Sequence, residues 1–135
     1  MDISFSKIAK EIIQMAREDQ NMRFATQKDN SKWDPEIDKR NTNRLKEIVA
    51  DIGWPTISKV SKEASFKAWL LIQHADEDLI FQKHCLKLMK SEEKSGVDPE
   101  NVMFLEDRIR VSEGKPQLHG TQFRKNQQTG KLEKV

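Results

Sequence analysis

The chain has 135 residues, 36% of them hydrophobic and 34% charged, with a formal net charge of +2 at pH 7. That is the size of one ordinary domain, lean in apolar residues but able to build a core where they recur periodically. No apolar run approaches the roughly 18 residues of a membrane span, and the start Met1-Asp2-Ile3-Ser4-Phe5-Ser6-Lys7 lacks the basic flank and apolar stretch of a secretory signal. A soluble, cytoplasmic protein without a membrane partner is therefore expected. Nucleic acid is not expected either: the C-terminal segment is locally basic through Lys115, Arg124, Lys125, Lys131 and Lys134, but no aromatic residues alternate with these bases as a stacking platform requires. The single Cys85 cannot form an internal disulfide and falls among apolar residues, as a buried, inert thiol does.

In chain order, the apolar spacing predicts a first helix from Ser4 to Phe24, with an arc of Phe5, Ile8, Ala9, Ile12, Met15 and Ala16. That arc continues through Asp19 and Arg23, which places two opposite charges on a core-facing side. Two Asp-Pro-Glu triplets, Asp34-Pro35-Glu36 and Asp98-Pro99-Glu100, each supply a capping carboxylate and a first-turn proline, and predict helix starts. The second helix, Pro35 to Ile52, has Leu45, Ile48, Val49 and Ile52 on its apolar arc and Asp38, Asn41 and Thr42 in its N-terminal half. Gly53 ends it, Trp54-Pro55-Thr56 makes the turn, and Thr56 caps a short helical turn through Val60. A third helix is predicted from Glu63 to Lys90, burying Ala68, Leu71, Ile72, Ala75, Leu79, Cys85, Leu86 and Met89. If it is continuous, His74, Asp78 and Gln82, spaced i, i+4, i+8, form a ladder on its core side. Gln73, Asp76, Glu77 and His84 then lie outside. After a polar loop over Ser91 to Val97, the fourth helix, Pro99 to Val111, buries Val102, Leu105 and Ile109 together with Asn101 and Arg108, with Asp107 to the side. Residues 1–114 read as a helical domain and 115–135 as a short hairpin or extended tail, with Gln117 to Phe123 and Lys131 to Val135 flanking Asn126 to Gly130. The fold class is all-α, four-helix bundle-like, with that C-terminal β-hairpin or tail.

All four helices thus carry polar residues on core-facing positions. Left unpaired, each neutral group would cost about 1–3 kcal/mol and each charge more, so they are expected to meet in a common polar centre or to line a pocket. For a single Arg23 or Gln82, a satisfied lock between helices is the simpler account; for the set, a pocket and a closed network both stand. His74 with Asp78 one turn on has the form of a catalytic base and its orienting carboxylate. The candidate ligand-binding residues are Asp19, Arg23, Asp38, Asn41, Gln82, Asp107, Arg108 and Gln122. Arg23 and Arg108 suit a carboxylate or phosphate, with Asp19 or Asp107 holding them in place, so the expected ligand is an anionic small molecule. No metal is expected, because the arginines repel a cation and no H-E-x-x-H motif is present. No cofactor is expected: there is no phosphate-cradling glycine loop. No G-x-S-x-G marks a nucleophile either. The ladder further implies that Asp78→Ala destabilises far more than Asp76→Ala.

Five ordered motifs carry a resemblance. They are Asp38, Asn41, Thr42 and Leu45 ("D..NT..L"); Gly53 to Thr56 ("GWPT"); Gln73 to Asp76 with Asp78, Phe81 and Gln82 ("QHAD.D..FQ"); Asp107 and Arg108 ("DR"); and Gly120 to Phe123 ("GTQF"), which contains Gln122. Over residues from about 15 to 123 the chain resembles, in these motifs, a bacterial family of unknown function. The resemblance implies no activity. It departs at Ser61, where such sequences tend to have glycine, and at His119, where they tend to have tyrosine; members also tend to continue past the hairpin, which implies a more open pocket here. Three classes of function fit: a small enzyme or anion-binding domain using the polar centre, a protein-interaction module anchored on Trp33, Trp54 and Trp69, and a structural domain with a closed, dry network. Trp54, beside Pro55, is expected to pack the turn.

Overall fold

Capping side chains set the helix starts in the computed structural model, which describes residues 4–92 and 96–135. Ser4 accepts from the Lys7 N–H and opens α1 (Phe5–Lys28), which runs one turn past Phe24 to Asp29. Asp29 then caps a 3-10 turn, Asn30–Lys32. The two Asp-Pro-Glu triplets start α2 (Pro35–Ile52) and α6 (Pro99–Ser112), with Asp34 and Asp98 accepting from the N–H groups of Glu36 and Glu100. Gly53, at φ 75°, ends α2 in a conformation that glycine adopts without a Cβ penalty. Thr56 precedes α3 (Ile57–Val60), but its hydroxyl meets Ser58 Oγ and caps no N–H.

The third predicted helix is two helices, α4 (Lys62–Gln73) and α5 (Leu79–Ser91). His74 closes α4, a turn follows through Ala75, and Asp78 caps α5 by accepting from the Phe81 N–H at 3.0 Å. The run Asp76-Glu77-Asp78 explains the break: short acidic side chains favour N-caps and compete with the helical ladder, and a carboxylate is stabilised at a helix N-terminus. With the helix broken, the ladder of His74, Asp78 and Gln82 does not exist. Gln82, with no exposure, turns back on the end of α4 and donates to the carbonyls of Ile72 at 3.1 Å and Gln73 at 3.4 Å and to Asp76 Oδ1 at 3.2 Å. It fills the donor role that a continuing helix would have filled. Gln82→Ala is expected to lower stability by about 2 kcal/mol, since the Gln73 carbonyl loses this donor, whereas that of Ile72 keeps the Ala75 N–H at 3.1 Å; an unchanged urea midpoint would show that water replaces the amide.

Asp76, exposed as expected, accepts Arg108 Nε at 2.9 Å and Nη2 at 2.7 Å, while Asp78 holds Lys46 Nζ at 2.5 Å. The reason for ranking Asp78 above Asp76 in stability disappears with the ladder. Gln73, expected outside, is instead buried.

Helix α4 lies at the centre and packs against α1, α2, α3, α5 and α6. Its small residues Ala64 and Ala68 have no exposure and let neighbouring backbones approach, while Ile12, Leu45, Ile48, Ile72, Met89 and Leu105 fill the core around it. Ser61, at φ 95°, starts α4 and accepts from the Ala64 N–H at 3.2 Å. This left-handed region favours glycine, the residue the resemblance implies there. The loop expected over Ser91 to Val97 begins one residue later than predicted, and its residues 93–95 lie outside the described ones.

The C-terminal strands are shorter than expected and the first lies later: β1 (Phe123–Lys125) pairs antiparallel with β2 (Leu132–Lys134), Phe123 opposite Lys134. Residues 118–121 are unavailable for a strand because they wrap around Asp107. Its carboxylate accepts from the N–H groups of Leu118 at 2.8 Å, His119 at 3.0 Å and Thr121 at 2.9 Å, and from Thr121 Oγ1 at 2.8 Å. Asp107, predicted at the side of α6, is thus fully buried. Gln117 and Gln122 tie the two ends of this loop together through side-chain amide bonds to the Gln122 backbone, and Gln122 Nε2 also reaches the Phe104 carbonyl at 3.3 Å.

Candidate functional site

Three elements bring four charged or titratable side chains to one place. One turn of α1 presents Asp19 and Arg23, the first turns of α2 present Asp38, and the C-cap of α4 presents His74. Asp19 has no exposure; its Oδ2 lies 2.9 Å from His74 Nδ1 and its Oδ1 lies 3.3 Å from Arg23 Nε. Arg23 Nη2 reaches both oxygens of Asp38 at 2.9 and 3.0 Å, and the guanidinium stacks over Trp33 with 5.1 Å to the ring centroid.

Arg23 Nε is also 3.0 Å from His74 Nδ1, so the network has to decide where the imidazole proton sits. If Nδ1 accepted from Arg23, its lone pair would also face a carboxylate oxygen at 2.9 Å. A proton on Nδ1 turns that contact into a charge-assisted hydrogen bond from His74 to Asp19 Oδ2, while Arg23 Nε stays in ion-pair range of Oδ1 at 3.3 Å without donating a hydrogen bond to it. The neutral ring then carries its lone pair on Nε2, for which no partner is present among the described residues.

The two carboxylates respond oppositely to this setting. For Asp19, burial works against ionisation, but the His74 bond, together with Gln20 and Arg23, outweighs it and holds the group below the usual carboxylate range. For Asp38, burial dominates, Arg23 opposes it, and the neighbouring Asp19 charge adds to it, so the group is pushed up to about 6.

His74 and Asp38 open onto a pocket of about 180 Å³ that is also lined by Lys39, Thr42, Asn43, Ala75, Glu77 and Asp78. Asp78 is a pocket-wall residue here; the carboxylate that orients His74 is Asp19, from another helix. Arg108 and Gln82 sit in the Asp76 bridge, and Asp107 and Gln122 in the C-terminal clasp. The single polar centre expected from the sequence is therefore divided into three. Asn41 is buried, with its Nδ2 unpaired, and borders a different, open groove between α1 and α2. The ligand atoms of Asp19, Asp38 and His74 lie within 4.8 Å of one another, the set among the described residues that could hold a metal, with Arg23 engaged by both carboxylates.

A family model described as a family of unknown function (DUF6624) matches residues 6–129. The chain belongs to this family. No curated protein and no solved structure matches it. The matched span of DUF6624 contains the His74 centre, the Asp76–Arg108 bridge and the Asp107 clasp together. No helix among the described residues is long and apolar enough to cross a membrane.

Sequence reasoning left Lys39, Asn43 and Glu77 out of the site, although all three line the pocket of this DUF6624 chain. Glu77 was hidden by the assumption of an unbroken helix. The available signal was the acidic triplet before Leu79, which reads as an N-cap once helix continuity is questioned. Of the tryptophans, Trp54 is 2% exposed and packs in the core, Trp69 meets Phe66 at a tilt and Phe104 edge to face, and Trp33 covers Arg23.

Proposed function

We propose that this chain binds a small polar molecule in the pocket beside His74 and uses acid–base chemistry on it. His74 Nε2 accepts the proton, and Asp19 orients the ring and stabilises the imidazolium that forms. The observation that carries this reading is the 2.9 Å contact between His74 Nδ1 and a carboxylate with no exposure, on a histidine that lines a pocket. A buried orienting carboxylate on one ring nitrogen and an open face on the other is the arrangement a general base requires. A pocket of about 180 Å³ is smaller than the roughly 300–1,000 Å³ of drug-sized sites and suits a small metabolite. The anionic ligand suggested by the arginines alone would find Arg23 held by Asp38 and Arg108 held by Asp76.

The reading fixes the tautomer. Nitrogen-15 NMR of His74 is expected to show the neutral ring protonated on Nδ1, and Asp19→Asn to abolish that preference. A small-molecule thermal-shift screen is expected to give a stabilising compound whose effect is lost in His74→Gln. A proton found on Nε2, or a hit that survives His74→Gln unchanged, overturns the proposal.

A further inference from the structure

We infer that the groove between α5 and α6 docks an acidic segment of another protein, with one apolar side chain against Leu86 and Ile109 and carboxylates on the lysines around them. The groove is separate from the His74 pocket and stands independently of the function proposed above. Its volume is about 400 Å³. Five cations line it, Lys83, Lys87 and Lys90 from α5 with Arg110 from the end of α6 and Lys115 just beyond, against two carboxylates, Glu106 and Glu113. The whole chain has a formal net charge of +2, so more positive charge gathers here than the molecule carries in net.

Pairing within the groove leaves most of that charge uncompensated. Glu113 is shared by Lys83 at 2.9 Å and Lys115 at 3.4 Å, and Glu106 by Lys90 and His119. Arg110 donates its Nε to a neutral acceptor, the Pro116 carbonyl, at 2.6 Å, and Lys87 has no ion-pair partner among the described residues.

A second observation is where the charges sit. Glu106 and Glu113 are sunk, at 17% and 18% exposure, whereas Lys83, Lys90 and Lys115 are 53%, 45% and 55% exposed. The ammonium groups therefore stand at the rim, where an approaching partner meets them first, and the less exposed Leu86 and Ile109 form the floor.

This layout selects among anionic partners. Lys83, Lys87 and Lys90 follow one stripe of α5 for roughly 10 Å, longer than a single small anion, so several carboxylates in series match it. Nucleic acid would find no aromatic side chain in the groove to stack on, and one arginine among the five cations. A flat anionic membrane would reach the rim amines but leave the apolar floor uncovered. An acidic peptide meets both, its apolar side chain below and its carboxylates at the rim.

The test is an amide NMR titration of the full chain at low ionic strength. The probes are a short synthetic peptide of glutamates around a central leucine, the same peptide with glutamines for the glutamates or serine for the leucine, and a single-stranded oligothymidylate; vesicles of phosphatidylcholine with phosphatidylserine are tested by co-sedimentation. The acidic peptide is expected to shift the amides of Lys83, Lys87, Arg110 and Glu113 at about millimolar concentration or below, with binding at least about tenfold weaker in Lys87→Glu and weakened by high salt. The serine peptide is expected to bind about fivefold more weakly. Lys87 is exposed, so that variant keeps the fold. No shift of these amides by the acidic peptide, equal shifts from the glutamine peptide, or binding unchanged in Lys87→Glu overturns the proposal. A serine peptide that binds as tightly overturns the seat on Leu86 and Ile109. Tighter binding of the oligothymidylate at these amides, or co-sedimentation with vesicles that Lys87→Glu abolishes, overturns it in favour of nucleic acid or a membrane.

Discussion

In Asp107→Ala, the urea midpoint is expected to fall by the equivalent of about 3–5 kcal/mol, and amides of residues 118–125 to lose hydrogen-exchange protection first. Asp107 is a carboxylate without exposure that accepts three backbone N–H groups and one hydroxyl from residues 118–121. Removing it leaves the three N–H donors facing a cavity, and an unpaired buried donor costs far more than the bond itself contributes. Burial opposes ionisation of Asp107, but the Thr121, His119 and Leu118 bonds outweigh it and hold the group below its ordinary value. A carboxylate lowered in the folded state contributes stability above its unfolded value of 3.8, and loses it as pH falls through the folded value. Asp107→Asn should therefore be less acid-sensitive than the parent chain. A free C-terminal segment with an undisturbed midpoint would show that the clasp holds the hairpin without contributing to the core.

The difference in stability between the parent chain and Asp38→Asn is expected to run the other way with pH. Burial and the Asp19 charge raise Asp38 from 3.8 to about 6 in the folded state. Between those values the folded chain binds more protons than the unfolded one, so this contribution is full below 3.8 and is lost as pH rises through about 6. At about 1.4 kcal/mol per pH unit the loss approaches 3 kcal/mol, and Asp38 is only 15% exposed, so solvent screening removes little of it. Denaturant melts of both chains across this range check it. If the parent chain gains on Asp38→Asn as pH rises, the Arg23 ion pair outweighs the burial of Asp38.

The sequence by itself determined the helical class, the starts of α2 and α6, and the buried arc of α1 that carries Asp19 and Arg23. Each of these is local: a capping aspartate with a following proline, or a 3.6-residue period, needs no knowledge of distant residues. The tertiary structure decided how the polar residues pair. A helical wheel treats a segment as unbroken, so it placed Asp78 beside His74; the break at Asp76-Glu77-Asp78 turned Asp78 into a cap and left His74 to a carboxylate 55 residues away in sequence. Arg108 and Asp107, adjacent in sequence, were likewise sent to opposite partners, one to the Asp76 turn and one to the C-terminal loop. Apolar burial is additive and follows from a pattern, whereas a buried charge is stabilised by a particular partner at about 3 Å, and which partner arrives there is settled by how the helices pack.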